Sequence, residues 1–140
     1  MSDFTKSHIT GHDSHGTPVD LYQQLDEEFH FNDDPCPLDL NPLHDGLSRE
    51  WGTSTFMNPP YSNPEPWCRK AYQESLKGKT VVGLLRGDTS TAWFHNWVWH
   101  KAELRFIRGR LKFYDLKKCE IGNSAPFASI IAIWRNNSSL

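Results

Sequence analysis

Long hydrophobic runs are absent from this chain of 140 residues. No stretch approaches the roughly 18 consecutive apolar residues that a membrane-spanning helix needs. The N-terminus is polar and rich in histidine, unlike a secretory signal. We therefore expect a soluble cytoplasmic protein. Internal repeats are absent too, so the length predicts one domain with a single hydrophobic core.

Cysteine is scarce, and the three present are scattered without a C-x-x-C pair: Cys36, Cys68 and Cys119. This usage favours reduced, unlinked thiols in the cytosol over a disulfide framework. Three histidines fall within residues 1–16, but that segment also holds Gly11 and Gly16 and lacks cysteine partners. We predict a flexible tail there rather than a zinc site. No metal is expected elsewhere, because no group of His, Cys and carboxylate residues has ligand spacing.

Charge is divided unevenly along the chain. Residues 1–50 carry 11 acidic and 2 basic residues, a net charge of −9, whereas residues 101–140 carry 8 basic and 3 acidic residues, a net charge of +5. A phosphate-binding surface in the C-terminal part is one interpretation. A strand edge guarded by Lys and Arg is the other, and charge alone does not separate them.

Helix and strand patterns alternate along the chain. The predicted elements are a helix opened by a Thr17-Pro18 cap, a strand at 31–34, a loop at 35–52, a strand at 53–57, a helix from Asn63-Pro64 to Gly78, a strand at 80–85 and a helix at 89–100. There follow a strand at 103–107, its hairpin partner at 111–114 across Gly109, a polar loop at 115–124 and a last strand at 128–134. The helical periodicity predicts which side chains face the core. They are Leu21, Tyr22, Leu25 and Phe29 in the first helix, Trp67, Ala71, Tyr72 and Leu76 in the second, and Phe94, Trp97 and Val98 in the third.

This alternation predicts a compact α/β sheet with helices on both faces and antiparallel strands at its C-terminal end. The domain is expected to span residues 17–136, followed by a tail at 137–140. Ligands of such folds bind at the carboxyl ends of the strands. Two unusual loops, at 34–37 and 58–61, fall there.

The sharpest motif is Asn58-Pro59-Pro60-Tyr61, which directly follows the strand at 53–57. Two prolines fix φ and remove two backbone donors, so the loop is stiff and presents carbonyl groups. The Asn58 side-chain oxygen and the Pro59 carbonyl can each accept one hydrogen of a planar NH2 group, and Tyr61 offers a face for stacking. Such a loop favours amine chemistry driven by positioning and electrostatics. A merely structural tight loop is the alternative, and neither Asn58 nor Tyr61 is expected in the core.

Several motifs in a fixed order resemble one family. They are Thr17-Pro18 with Leu21 and Leu25; Asp34-Pro35-Cys36-Pro37; Asp45-Gly46-Leu47 with Trp51; Asn58-Pro59-Pro60-Tyr61-Ser62 with Trp67 and Lys70-Ala71; Asp88-Thr89-Ser90-Thr91 with Trp93-Phe94-His95; Glu103-Leu104-Arg105-Phe106-Ile107 and Gly109-Arg110-Leu111-Lys112-Phe113; and Asn123-Ser124-Ala125-Pro126-Phe127. Over residues 17–135 the chain resembles the phage-type, Dam-like DNA N6-adenine methyltransferases. The resemblance implies a Rossmann-like sheet, S-adenosylmethionine as cofactor and a flipped-out adenine in double-stranded DNA as substrate. Modification of phage or host DNA against restriction follows by the same analogy.

The resemblance also assigns the cofactor site. Thr17 and Pro18 would approach the methionine end of the cofactor, and Asp34, Pro35 and Cys36 would form the turn that cradles it. Asp45, Gly46 and Leu47 would lie beside its adenine. One departure stands out: only seven residues separate Pro37 from Asp45, so a strand–helix unit found in larger methyltransferases is missing, and Asp39 is one substitute for their ribose-binding acid.

DNA contacts are assigned to basic and polar residues around the expected site. Arg86 follows the central strand, the hairpin is rich in arginine, and Lys117 and Lys118 come after it. The residues assigned are Arg86, Ser90, Trp93, His95, Arg105, Arg108, Arg110, Lys112, Asn123 and Ser124. The polar ones are equally well read as caps and turn residues. Without a separate recognition domain, the target sequence is expected to be short and loose, or recognition to need a homodimer.

Two rival functions remain open at the level of sequence. The same loop serves methyl transfer to other planar amino groups, namely cytosine N4, adenine in RNA and the amide of glutamine in proteins. The other rival is a non-catalytic nucleic-acid-binding module that keeps a methyltransferase fold and has lost its cofactor, which the shortened cofactor region motivates.

Overall fold

The computed structural model describes residues 16–36, 45–115 and 120–136, with the backbone alone at residues 114 and 115. The expected tails, apart from Gly16, lie outside these ranges, as do Asp39, Lys117, Lys118 and Cys119. Of the other cysteines, Cys36 is half-buried and Cys68 is buried, and the two form no disulfide with each other. Across these ranges no helix is long and apolar enough to cross a membrane.

A four-stranded mixed sheet forms the centre of the molecule. Its strands are β1 (Ser54–Met57), β2 (Thr80–Arg86), β3 (Glu103–Phe106) and β6 (Ser129–Arg135), in the order β1-β2-β6-β3. β1 and β2 are parallel, and β6 runs antiparallel to both of its neighbours. β2 and β6 have burial on both faces, as their continuous apolar sequences require.

The predicted strand at 31–34 is reduced to a single parallel bridge between Asp33 and Thr55, beside β1. Its pairing is short because Phe31 donates its backbone N–H to the Asp26 side chain instead of to a strand, at 2.9 Å. Pro35 then follows and has no N–H to extend the ladder. The bridge still brings the turn at 34–36 to the end of β1, which is the edge where ligands were expected.

Helices pack on both faces of the sheet. They are α1 (Val19–Phe29), α2 (Glu65–Ser75) and α3 (Ala92–Trp97). On one face, Tyr22 and Leu25 of α1 pack in a core with Val82. On the other, Cys68 of α2 and Phe94 of α3 share a core with Val81. Neighbouring residues of β2 thus serve opposite faces, the period of two that a strand imposes. The predicted α/β layering is confirmed.

The prediction that residues 103–107 and 111–114 form a hairpin is wrong. β3 joins the main sheet beside β6, and β4 (Lys112–Asp115) pairs instead with β5 (Glu120–Ser124) in a separate two-stranded sheet. Residues 120–124 therefore form a strand and not the predicted polar loop. Their sequence hid this, because β5 is exposed or half-exposed along its whole length and carries no apolar alternation.

Three details of the helices also differ from expectation. Thr17 does not cap α1: Pro18 takes the N-cap position without a side-chain hydrogen bond. Leu76 is 54% exposed because α2 ends at Ser75, and Trp97 is only partly buried. α3 has 6 residues in place of the predicted 12, since Thr89 to Thr91 form a turn in which Thr91 bonds the Asp88 carbonyl.

Candidate active site

The Asn58-Pro59-Pro60-Tyr61 loop leaves the carboxyl end of β1, as predicted. Asn58 is buried, with 3% of its surface exposed, so the expectation that it lies outside the core is wrong. Its Nδ2 donates a hydrogen bond of 3.0 Å to Oγ1 of Thr17, which is itself 2% exposed. Because this contact takes the nitrogen side of the amide, the side-chain oxygen Oδ1 is directed to the opposite side. The loop and the start of α1 are thereby joined across 41 residues of sequence.

A small cavity of about 20 Å³, enough for about one water molecule, lies against the loop. Pro59, Pro60 and Tyr61 form one wall. The remaining lining comes from the helix start, the end of β2 and the segment after it: Pro64, Leu84, Leu85, Arg86, Asp88 and Trp93. Two residues assigned to DNA, Arg86 and Trp93, are thus beside the loop. Asn58 is not among the residues that line this cavity.

Tyr61 is held by aromatic neighbours from the C-terminal part of the chain. Its ring meets Phe127 edge to face at 5.0 Å between centroids, and Phe113 of β4 at 6.2 Å. Burial raises the pKa of Tyr61 well above its usual value, against the opposing charge of Arg86. The ring is therefore a neutral phenol at any ordinary pH. Edge-to-face contacts of this kind add stabilisation beyond the buried area and fix ring orientation.

Arg86 stands between the small cavity and a larger one. Its guanidinium carbon is 4.6 Å from the centroid of Phe127 and 5.9 Å from that of Tyr61. Its Nε is 3.2 Å from a carboxylate oxygen of Asp88. The larger cavity, about 410 Å³, is lined by Tyr61, Arg86, Phe113, Gly122, Asn123, Ala125, Pro126 and Phe127. Tyr61 and Arg86 are therefore walls common to both cavities.

The two other loops assigned to the cofactor lie against each other. In each, an aspartate closes a turn onto the backbone two residues on: Asp34 Oδ1 accepts from Cys36 N at 3.2 Å, and Asp45 Oδ1 from Leu47 N at 3.0 Å. A Cβ on Gly46 would lie 2.1 Å from the Pro35 carbonyl oxygen. Only glycine permits this approach, so the sequence packs the two turns together.

Trp51 holds the second of these turns, a role the sequence did not reveal. Its Nε1 donates to the Gly46 carbonyl at 2.7 Å, and its backbone N–H donates to Glu74 Oε1 at 2.6 Å. Glu74 is 1% exposed and also pairs with Lys77 and Lys79, at 2.6 and 2.9 Å. Burial alone would raise the pKa of Glu74, but hydrogen bonds from the two lysines and from Trp51 outweigh it and lower the pKa to about 2.

A second ion pair fastens the same segment. Arg49 forks onto both carboxylate oxygens of Asp33, at 2.7 and 2.8 Å, and the Gly52 N–H adds a third bond of 2.8 Å. Burial opposes the charge of Asp33, yet these bonds keep its pKa below the usual value. Sequence reasoning singled out Asp34 and passed over Asp33, whose charge is used to fold the 45–52 segment back onto the bridge beside β1.

The basic residues assigned to DNA separate into two groups. Arg105 binds both carboxylate oxygens of Glu28 on α1, at 2.6 and 2.7 Å, and lies over the Phe29 ring. It engages α1 and not either cavity. The second group comprises Arg108 and Arg110, exposed between β3 and β4, and Lys112, which pairs in register with Ser124 one residue from the cavity-lining Asn123.

Ser90 and His95 are exposed near the start of α3. His95 Nε2 lies 2.6 Å from the Thr89 carbonyl oxygen, so this side chain closes the turn ahead of the helix. Within residues 16–36, 45–115 and 120–136, no three His, Cys, Asp or Glu side chains are grouped as metal ligands.

Comparison with known proteins places the chain in a family. The family of DNA N-6-adenine-methyltransferases (Dam) matches residues 5–139. A protein named DNA N-6-adenine-methyltransferase from Haemophilus phage HP1 (strain HP1c1) is 35% identical over 112 residues, or 71% of this chain and 65% of the relative. One of the same name from Escherichia phage T1 is 36% identical over 86 residues, or 60% of this chain and 36% of the relative.

The chain thus spans 65% and 36% of the lengths of these two relatives in the aligned parts. No solved structure matches it. The family match covers the motif loop at 58–61, both turns at 34–36 and 45–47, and the C-terminal hairpin. The chain belongs to the DNA N-6-adenine-methyltransferase (Dam) family.

Proposed function

We propose that this protein transfers a methyl group to the N6 amino group of adenine in DNA, with S-adenosylmethionine as the donor. One observation carries the proposal: Pro59, Pro60 and Tyr61 wall a small cavity at the carboxyl end of β1, and the buried Asn58 just before them is bonded to Thr17 at the start of α1. The parallel β1–β2 pair, the parallel bridge at Asp33 and helices on both faces support a Rossmann-like methyltransferase sheet. The phage relatives support action in the cytoplasm of a bacterial host.

The residues present fit the cofactor. Three separate segments meet near the end of β1: residues 17–18 through the bond to Asn58, residues 34–36 through the bridge, and residues 45–47 through the approach of Gly46 to Pro35. Thr17 and Pro18 would hold the methionine end, the turn at 34–36 would cradle it, and Asp45 to Leu47 would lie beside the adenine. When bound, S-adenosylmethionine supplies a methyl group on a cationic sulfur, which suits a turn carrying the carboxylate of Asp34.

The loop's own part is to hold the target amine. With Nδ2 bonded to Thr17, the Asn58 oxygen is the amide atom turned to the other side, and the Pro59 carbonyl is the second acceptor. Two acceptors on one NH2 oppose delocalisation of its lone pair into the ring and fix its direction. Tyr61, neutral and held by Phe113 and Phe127, supplies the stacking face. Positioning and electrostatics then account for the catalysis.

DNA would reach the site from the side of the β4–β5 hairpin. A methyltransferase must extract its base from the stack, and phosphate contacts provide most of the affinity. We assign those contacts to Arg86, Arg108, Arg110 and Lys112, with Trp93, Asn123 and Ser124 nearer the bases. Recognition of a short and loose target by this small chain, alone or as a homodimer, is part of the proposal.

A methyl-transfer assay with purified protein tests the function. Labelled S-adenosylmethionine is offered with double-stranded DNA, RNA and protein, and the labelled product is digested to identify the methylated base. We expect N6-methyladenine in DNA. If the label appears instead in N4-methylcytosine, in RNA or in protein, the proposed substrate is wrong and the labelled molecule takes its place. Calorimetry with S-adenosylmethionine distinguishes the enzyme from the remaining rival, a non-catalytic nucleic-acid-binding module. Absence of binding at millimolar S-adenosylmethionine would indicate that module.

A further inference from the structure

Phe106 ends the edge strand β3 and is the most exposed large apolar side chain among the described residues, with 77% of its surface exposed. Leu104, two residues earlier on the same face of the strand, packs against the core beneath α2 and α3, whereas Phe106 lies beyond that core. An exposed phenylalanine on an edge strand favours aggregation. The residue is therefore best explained by a ligand that covers it.

Phe106 lies at the same edge of the sheet as the candidate active site. β2 and β3 are both antiparallel to β6, so they end at the same edge. Ile130 of β6 is the partner of Leu85 on one side and of Phe106 on the other, which places these two residues level with each other. Leu85 lines the small cavity beside the 58–61 loop. Two strand spacings, about 10 Å, therefore separate Phe106 from the wall of the site.

The turn after Phe106 carries exposed cations, Arg108 and Arg110. Neither arginine forms an ion pair with a residue that the structure describes, whereas Arg105, just before them, is bonded to α1. An exposed ring beside two exposed cations suits a polyanion that carries stacked planar groups, and it suits a basic or neutral protein surface poorly. The charge of this turn therefore favours DNA as the ligand that covers Phe106.

We propose that the Phe106 ring enters the base stack of the duplex at the target adenine and holds the stack open once that base has left it. This inference rests on the proposed function, since it presupposes that adenine is extracted from a duplex. Extraction leaves a gap in the stack and costs the energy of unstacking and unpairing. Apolar side chains such as phenylalanine and leucine can be inserted between base steps, and stacking of a ring on the bases offsets part of that cost.

The wedge and the base site are different places in the structure. Ile130, the cross-strand partner of Phe106, belongs to the core beneath α2 and α3, whereas Phe113 of the larger cavity belongs to the core beneath α1. Phe106 lines neither cavity. The ring can therefore replace the adenine in the stack while the adenine itself lies against Tyr61.

The test uses Phe106→Ala and Phe106→Leu in the full chain, with Leu76→Ala as the matched control. Leu76 is also an exposed apolar residue, but it follows α2 and precedes the start of β2, at the other edge of the sheet. kcat/KM is measured on two duplexes that carry the same target adenine. In one the adenine is paired with thymine, and in the other it faces an abasic site, so that it leaves the stack more easily. The fluorescence of 2-aminopurine, placed at the target position, reports whether the base has left the stack.

We expect Phe106→Ala to lower kcat/KM about tenfold on the paired duplex and no more than about twofold on the duplex with the abasic site. The fluorescence rise of 2-aminopurine on binding should be smaller than with wild type. Phe106→Leu should keep most of the wild-type rate, because leucine is also a wedge residue, and Leu76→Ala should keep all of it.

The inference is overturned if Phe106→Ala loses equally on both duplexes or loses nothing on the paired one. Sedimentation adds a further check: a wild-type dimer that Phe106→Ala dissociates, with equal losses on both duplexes, would show that Phe106 contacts a second copy of the chain instead of DNA. Failure of the proposed function looks different, since wild type would then methylate adenine in neither duplex.

Discussion

The two sides of the candidate site are built from different interactions. On the proposed cofactor side, the turns at 34–36 and 45–47 are fixed by two buried hydrogen bonds, from Trp51 Nε1 to the Gly46 carbonyl and from the Trp51 N–H to Glu74, and by the more exposed ion pair of Arg49 with Asp33. On the proposed DNA side, the contacts around Tyr61 are ring against ring and cation over ring. Directional bonds among buried groups hold one geometry, because breaking any one leaves a buried partner unsatisfied.

Aromatic packing with exposed cations tolerates more rearrangement. The hairpin that carries Phe113 and Asn123 is a separate two-stranded sheet, and such hairpins contribute little stability on their own. This contrast fits a small molecule of one shape on the first side and a deformable duplex on the second. We therefore expect substitutions on the two sides to have different effects. Those on the first side should change cofactor affinity, and those on the second side should change DNA affinity.

The largest effect is expected where the two sides meet, at Asn58. Asn58→Ala removes an acceptor for the target amine, and loss of one preorganised polar group typically costs about 10²- to 10³-fold in kcat. Since Asn58 is buried and bonded to Thr17, the variant should also lose stability, about 1–3 kcal/mol. Single-turnover methyl transfer and thermal melting measure the two effects.

Thr17→Val provides the control for stability, with rates compared at saturating S-adenosylmethionine because Thr17 is also assigned to the cofactor. It breaks the same hydrogen bond with nearly the same shape and leaves the Asn58 oxygen in the protein. If Asn58→Ala is no slower than Thr17→Val, the loss of rate reflects the broken Asn58–Thr17 contact and the Asn58 oxygen has no direct part in the reaction. A wild-type rate in Asn58→Ala would end the assignment of the loop as catalytic.

On the cofactor side alone, we expect Trp51→Phe to weaken S-adenosylmethionine binding about tenfold, which matches the loss of one buried hydrogen bond. The phenyl ring keeps the packing against Trp67 but has no donor for the Gly46 carbonyl. DNA affinity should stay at the wild-type value. Calorimetry measures the affinity for the cofactor, and fluorescence anisotropy measures the affinity for DNA. Equal losses of the two affinities would show that the two sides are not independent.

The sequence predicted the parts of the molecule whose signal is local. β2 and β6 were found because a buried strand is a continuous apolar run, and the 58–61 loop because two prolines after a strand are rare. The motif at 45–47 and its glycine were found by resemblance to the family. What was missed depends on partners distant in sequence: Glu74 bonds the backbone of residue 51, 23 positions earlier.

Strand pairing was missed for the same reason. Residues 103–107 carry the alternation of a strand, but nothing local says that β6, and not residues 111–114, is the partner. β5 has no core face, so no periodicity marked it. Arg105 was assigned to DNA from its place in a basic run, whereas Glu28, 77 residues away, determines its contacts. Charge counted along a sequence does not show which charges are already paired.

Acid should weaken the cofactor side through Glu74. Its pKa in the folded protein is lowered from 4.5 to about 2, so its contribution to stability is present above about pH 4.5 and is lost as the pH falls toward 2. Melting temperatures of wild type and Glu74→Gln should therefore converge across that window. Glu28→Gln is the control, because its pair with Arg105 is exposed to solvent and contributes little. A constant difference between wild type and Glu74→Gln from pH 6 to 2.5 would contradict the assignment.

The smallest effect is expected on the DNA side, from single exposed cations. Arg110→Ala should weaken DNA binding about fivefold and reduce the slope of log affinity against log salt by about 1, because one phosphate contact is lost. Arg105→Ala is the matched variant: it removes the same charge from the same region, but that charge is bonded to Glu28. Anisotropy titrations from low to moderate salt distinguish them. If Arg105→Ala changed the salt slope as much as Arg110→Ala, DNA would have to draw Arg105 away from α1, and the division between paired and phosphate-binding arginines would be wrong.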